Sequence, residues 1–297
     1  MILFCILAVG STESEIIVPC SESHKRLLDQ NYSEVVRQSL AKNEVQPQGL
    51  IAGDLETIYY DEFKIIVEMP SSLSPEQIFR DMRRGLDATG RGNGCMKFRK
   101  LANFKLWRRA NGEKGYGITA EDSICNNYDH KEFNEIANLG DIYSIDIFGL
   151  DNGNVIVSDL YQSPNQSYFR YTTLYAKSFN PFNERRGHHP NRGAREYGFK
   201  RYSDGSIVFY VRGADQWEGL IAEGGNYLPF ILALFENLFR EGEHELVTAQ
   251  QKFWLSFLRG IGERVEKMGG SVLQEARLIE YEEDGLPECF IDGGFSK

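Results

Sequence analysis

Three short polar turns divide the middle of this chain into alternating apolar and polar runs, which leaves little choice but antiparallel sheet. They are Asp151-Asn152-Gly153-Asn154, Ser163-Pro164-Asn165-Gln166 and Ser203-Asp204-Gly205-Ser206. Asn-Gly and Asp-Gly are strong hairpin signals because both residue types tolerate positive φ. The alternation around them predicts strands over 141–148, 154–161, 167–175, 194–202 and 206–212, with turns near Gly153 and Gly205. The aromatic share of 12%, from 19 Phe, 15 Tyr and 3 Trp, agrees, since aromatic rings pack well on a pleated surface. One interruption is long. The loop 177–193 breaks an otherwise tight meander, and such loops are more often functional than ornamental.

Upstream, residues 57–68 alternate with Phe63, Ile65 and Val67 on one side, and predict a strand. A helix is expected from Pro75 to about Ala88. Ser74 stands at its cap, Pro75 at the first helical position and Gln77 three residues after the cap. The glycine-rich run Thr89-Gly90-Arg91-Gly92-Asn93-Gly94 follows that helix rather than preceding one, so it reads as a helix end and not as a phosphate cradle. Residues 95–109 mix basic and aromatic side chains and read as a half-buried strand, with long basic stems lying over apolar surface. Residues 21–45 predict a polar helix. Together with the apolar start Ile2-Leu3-Phe4-Cys5-Ile6-Leu7-Ala8-Val9, they make 1–50 an N-terminal segment with a helical arm, and 51–297 a single α+β domain. At the other end, 226–240 is apolar on nearly every face and predicts a buried helix. Residues 246–268 predict a long amphipathic helix carrying Trp254, Phe257, Leu258 and Ile261 on its inner face, and a last strand is expected at 271–282.

The fold expected from these parts is α+β: a curved antiparallel β-sheet meander with a long C-terminal amphipathic helix. This element order resembles the helix-grip layout of the START and Bet v 1 type. The resemblance covers about 57–268, and the extra helix at 226–240 and the strand after the long helix depart from it. It implies an apolar cavity closed by the helix, and hence a binding protein for an apolar or amphiphilic small molecule.

Charge and cysteine usage narrow the partners. The net charge of −10 argues against nucleic acid, whose phosphates want Lys and Arg. The distribution is uneven: residues 80–114 carry eleven bases and three acids, whereas 275–297 carry seven acids and two bases. The five cysteines form no C-x-x-C pair, which removes zinc ribbons and thioredoxin-type motifs. The apolar start with Ala8-Val9-Gly10 resembles the end of a signal peptide, although no basic region precedes it, and points to an exported chain. No other run approaches a membrane span.

Chemistry-bearing groups concentrate between His188 and Trp217. The segment 185–201 holds six bases against one acid, so it favours an anion. Pairing residues about the turn at Asp204-Gly205 places Arg195 opposite residue 213, with Arg212 beside it. An anion clamp is expected from His189, Arg195, Tyr197 and Arg212, supported by His188, Glu196, Asp215 and Trp217. The alternative for the same cluster is a hydrolase, and a third reading is a secreted effector or toxin component. No metal site is expected, because adjacent histidines point apart on most backbones, and no cofactor signature is present.

Overall fold

The computed structural model describes residues 26–50, 57–84, 96–100, 136–147, 151–175, 191–217 and 254–284. In it the central alternation becomes a continuous antiparallel sheet. We label the elements α1 (Glu34–Asn43), β1 (Gln46–Pro47), β2 (Thr57–Glu68), α2 (Pro75–Arg84), β3 (Met96–Lys100), β4 (Ile142–Ile147), β5 (Asp151–Gln162), β6 (Gln166–Tyr175), β7 (Asn191–Arg201), β8 (Ile207–Trp217), α3 (254–267) and β9 (Ser271–Asp284). The strand order is β3-β4-β5-β6-β7-β8-β2-β9, and the short β1 pairs with the end of β6. The early strand β2 thus sits between β8 and the late strand β9, antiparallel to both.

Both faces of the sheet are covered. Strand residues of one parity, among them Phe63, Ile65, Val67, Phe169, Tyr171, Tyr197, Phe199, Phe209 and Val211, form the main core with α2 and α3. This core is packed with rings: Phe169 stacks on Tyr197 at 5.1 Å, and Tyr197 meets Trp254 at 5.2 Å. Helix α2 begins as its sequence requires. Ser74 Oγ accepts from the Gln77 amide at 3.2 Å, while Gln77 Oε1 accepts from the Ser74 amide at 2.8 Å. That reciprocal cap satisfies two amide donors at the helix start. Ile78, Phe79 and Met82 then turn inward.

The opposite face is covered by residues 26–50. Leu27 and Leu28 pack on Tyr60, Ala194 and Ala214, while Val36 and Leu40 of α1 pack with Ile142, Ile156 and Leu174. The helix expected over 21–45 is interrupted within the described residues. After a helical turn at 26–28, Asp29 accepts from the Asn31 amide and Ser33 caps a new helix. Polar side chains that bond nearby backbone break helices in this way.

Two expectations need correction. The helix-grip layout with a long C-terminal amphipathic helix does not describe this fold. Helix α3 covers fourteen described residues, 254–267, about 21 Å at the usual rise. The eight main strands span about 34 Å at ordinary spacing. The strand expected at 271–282 does follow α3, as β9, and pairs with β2 along nearly its full length. The helix is a connection lying on a flank of a broad sheet, not a lid across a groove. Trp254, Phe257, Leu258 and Ile261 do face the sheet, and all are buried.

The second correction concerns the turn near Gly153. Strand β5 already begins at Asp151, with Gly153 paired to Ile145. Opposing Ile142 to Ile156 and Tyr143 to Val155 buries all four, and register follows that burial rather than a local turn preference. The turn near Gly205 stands where expected, between paired Arg201 and Ile207.

Several features singled out in the sequence lie outside the described residues. They are the apolar start, all five cysteines, the run 89–94, most of 95–109, His188 and His189, the segment 226–240, the acidic tail and the first residues of 246–268.

Candidate functional site

The site forms where three consecutive strands cross. Arg195 on β7 lies opposite Gly213 on β8, as the turn arithmetic predicts, and Gly213 lies opposite Asp61 on β2. Gly213 has no side chain, so the Arg195 guanidinium reaches across β8 to its second neighbour. A Cβ at 213 would stand 2.6 Å from Arg195 Nη2. Arg195 Nη1 donates to Asp61 Oδ1 at 2.8 Å and Nη2 to Asp61 Oδ2 at 2.9 Å. The same Nη2 donates to Asp215 Oδ2. One guanidinium thus binds two carboxylates, one of them bidentately. Trp254 of α3 closes the arrangement, with its ring centroid 5.5 Å from the Arg195 guanidinium carbon.

Burial and charge shift the proton affinities of Asp61, Arg195 and Tyr197. Burial pushes the Asp61 carboxyl above its ordinary range, against the pull of Arg195, and the negative charge of Asp215 adds to the rise. Burial lowers the proton affinity of Arg195, but Asp61 and Asp215 more than reverse this, so it stays charged. The Tyr197 phenol is held neutral by burial. The Asp61 and Asp215 side chains retain 18% and 17% of their exposure, so solvent still reaches both.

Of the expected clamp residues, His189 lies outside the described residues, and the two arginines are not brought together. Arg195 and Arg212 occupy positions of opposite parity in the paired register and point to opposite faces. Arg212 donates to Glu196, which also accepts from the Tyr210 hydroxyl at 2.9 Å, and Glu62 lies 3.9 Å from Arg212. Tyr197 is a core ring. Glu196 is fully buried on the face of Arg212, whereas Asp215 is a direct partner of Arg195. The side chain of Trp217 and both histidines lie outside the described residues. Gly193, at the start of β7, packs against the neighbouring strand and not against a ligand cleft. At φ 132°, it sits so close to the Ala214 carbonyl that a Cβ would be 1.9 Å from its oxygen. Its amide is held by Thr173 Oγ1 at 3.0 Å.

Asp61 is the member of this cluster that sequence reasoning missed. Its signal was present: stepping back by twos from Val67, Ile65 and Phe63 lands an acid on the apolar face.

On the second face the register lines up another row. Asp159, Arg170, Glu196, Arg212 and Glu62 stand directly opposite one another across β5, β6, β7, β8 and β2. Their charges alternate in sign at every step. Arg170 is further held by Ser158 Oγ at 3.1 Å, and Thr172 donates to the same oxygen at 2.7 Å.

Among the described residues no three His, Cys, Asp or Glu side chains are placed to hold a metal ion, and no helix is long and apolar enough to cross a membrane. No family model and no curated protein matches this sequence. A crystal structure of a hypothetical protein from Helicobacter pylori superimposes with a TM-score of 0.37 at 6% identity, over 67% of this chain and 84% of that one.

Proposed function

We propose that the chain is an acid–base enzyme of the hydrolase class whose working groups are Asp61, Asp215 and Arg195. The observation that carries this reading is the seating of two partly exposed carboxylates on one buried guanidinium. Both accept from the same nitrogen, so they stand within about 6 Å of each other. General acid–base chemistry wants a proton donor and a proton acceptor side by side. Asp61, pushed up by burial and by its acidic neighbour, is the proton donor. Asp215 is the acceptor, and Arg195 is a fixed positive charge beside developing negative charge. In the sequence, His188 and His189 stand shortly before β7. The amphiphile-binding alternative has less behind it, because its clamp arginines point to opposite faces and both already hold carboxylates.

The test is turnover of a panel of chromogenic esters, glycosides and phosphate monoesters by the full chain. Asp61→Asn and Asp215→Asn are each expected to lower kcat/KM by about 10²–10⁴-fold. The wild-type profile should be bell-shaped in pH, and its alkaline limb, set by protonated Asp61, should vanish in Asp61→Asn. Glu62→Gln, changed on the other face, should keep the rate. No turnover of any panel member above buffer, or full rates in both Asp variants, overturns the proposal.

A further inference from the structure

The charge row on the second face is unbalanced by itself. Asp159, Glu196 and Glu62 carry three negative charges, and Arg170 and Arg212 two positive ones. The missing cation comes from outside the sheet: Arg26, in the helical turn at 26–28, places its Nε 3.6 Å from Glu196 Oε2. Its guanidinium carbon lies 5.1 Å from the centroid of the Tyr168 ring, and Tyr161 stacks behind Tyr168 at 5.4 Å and 21°. Asp159 is hydrogen-bonded to the Tyr168 hydroxyl.

Arg26 is an imperfect occupant. At 3.6 Å it is too distant for a hydrogen bond. Glu196 Oε2 is wholly buried and accepts none, and Arg26 Nε donates none. An acceptor left unused in the interior is costly, and a cation that could approach it squarely would recover that loss. The stacked tyrosine pair adds a preference in shape, because a planar guanidinium lies flat on an aromatic face where an ammonium cannot. Access is available: the Arg26 side chain keeps 31% of its exposure. Leu27 and Leu28 anchor the turn by burial, so the arginine side chain can swing outward while its backbone stays in place.

We infer that Tyr168 and Glu196, with Asp159 at the rim, form a guanidinium-binding socket that Arg26 fills in cis and that accepts an arginine side chain supplied in trans. The ligand chemistry is a guanidinium, whether on free arginine or within a peptide. The row on which it closes is separate from the Asp61–Arg195–Asp215 site, so this inference stands or falls independently of the hydrolase reading.

The experiment is chemical rescue of the full chain. Arg26→Gly should melt below wild type. Methylguanidinium at ten times its dissociation constant should restore about 2–3 °C, while methylammonium at equal ionic strength restores none. The rescue should be absent in Arg26→Gly/Glu196→Gln. Should Arg26→Gly fail to fold, Arg26→Lys keeps the charge without the planar group, and it too should be stabilised saturably by methylguanidinium. Capped Gly-Arg-Gly set against free arginine then identifies the source: stabilisation by the peptide marks a partner's side chain, and stabilisation by free arginine alone marks a small molecule. Equal response to the two methylated cations, rescue that survives loss of Glu196, or no response in either Arg26 variant overturns the socket.

Discussion

Replacing Gly213 by Ala tests the central site through a side chain that is not there. Gly213 lies inside β8 with neither neighbour position nor φ in the left-handed region, so its backbone alone would accept alanine. In most strands that substitution would stabilise by about 0.4–1 kcal/mol, by narrowing the unfolded ensemble. Here the new Cβ would stand 2.6 Å from Arg195 Nη2, 2.7 Å from Cζ and 3.0 Å from Asp61 Oδ1. The guanidinium must lift off β8, which breaks its bidentate grip on Asp61. Breaking a buried ion pair costs about 3–5 kcal/mol. The two carboxylates keep 18% and 17% exposure and recover some hydration, so the lower end applies. Set against the backbone gain, the expected net loss is about 2 kcal/mol. With a urea slope of about 2–3 kcal/mol per molar, the unfolding midpoint should fall by about 0.7–1 M. The sharper expectation is a change of sign. In an Arg195→Ala background the two closest contacts are gone and the Asp61 carboxylate, no longer held by the guanidinium, is free to turn aside, so Gly213→Ala should then raise the midpoint. Urea unfolding of the four members of this cycle measures it. Equal effects in the two backgrounds, or a Gly213→Ala protein as stable as wild type, would refute the reasoning.

Three further outcomes are expected. Trp254→Ala should cost about 3–5 kcal/mol, because the ring is buried among Tyr197, Phe257 and Arg195; an unchanged melting temperature would contradict the packing. Ser74→Ala should cost about 1 kcal/mol by opening the cap of α2, measured by thermal melting, with Gln77→Ala costing less in the Ser74→Ala background than alone. In alkaline titration followed by tyrosinate absorbance, the phenols of Tyr32 and Tyr168, pushed up to about 12 by burial, should ionise well after exposed tyrosines. Their raised values mean that the folded state holds the proton more tightly. Stability is therefore intact below pH 10 and is lost as pH climbs from there toward 12. A single ionisation step near 10 with the fold retained would dismiss this.

The sheet was legible because its strands alternate cleanly and its turns are rich in Asn, Asp and Gly. Strand β2 was readable to its end residues, as was the cap of α2. Strand β8 was read as stopping at Arg212, because Gly213, Ala214, Asp215 and Gln216 have poor strand propensity. It continues because it is paired on both sides there, and a central strand overrides local preference. The site was half legible for the same reason. Turn arithmetic could pair Arg195 with Gly213 through one hairpin. The partner Asp61 arrives from a strand more than a hundred residues away, and no local rule says that β2 inserts beside β8. The expected closeness of Arg195 and Arg212 failed on parity: being opposite 213 excludes sharing a face with 212. The role of α3 misled because an amphipathic stripe looks the same whether its helix closes a groove or joins two parts of a sheet, whereas the strand after it was read nearly to its bounds.

The row from Asp159 to Glu62 has a consequence for how the strands find one another. Sliding β8 by two residues against β7 would keep every side chain on its proper face, so the apolar pattern alone penalises the error weakly. Yet Glu196 would then oppose Tyr210 or Ala214 instead of Arg212. The same slip between β6 and β7 would set Arg170 against Ala194 or Gly198. Each misalignment strands a buried charge without its counterpart, an error far costlier than a misplaced methyl group. The alternating signs act as a vernier scale ruled across five strands, on which the sheet closes at one setting only.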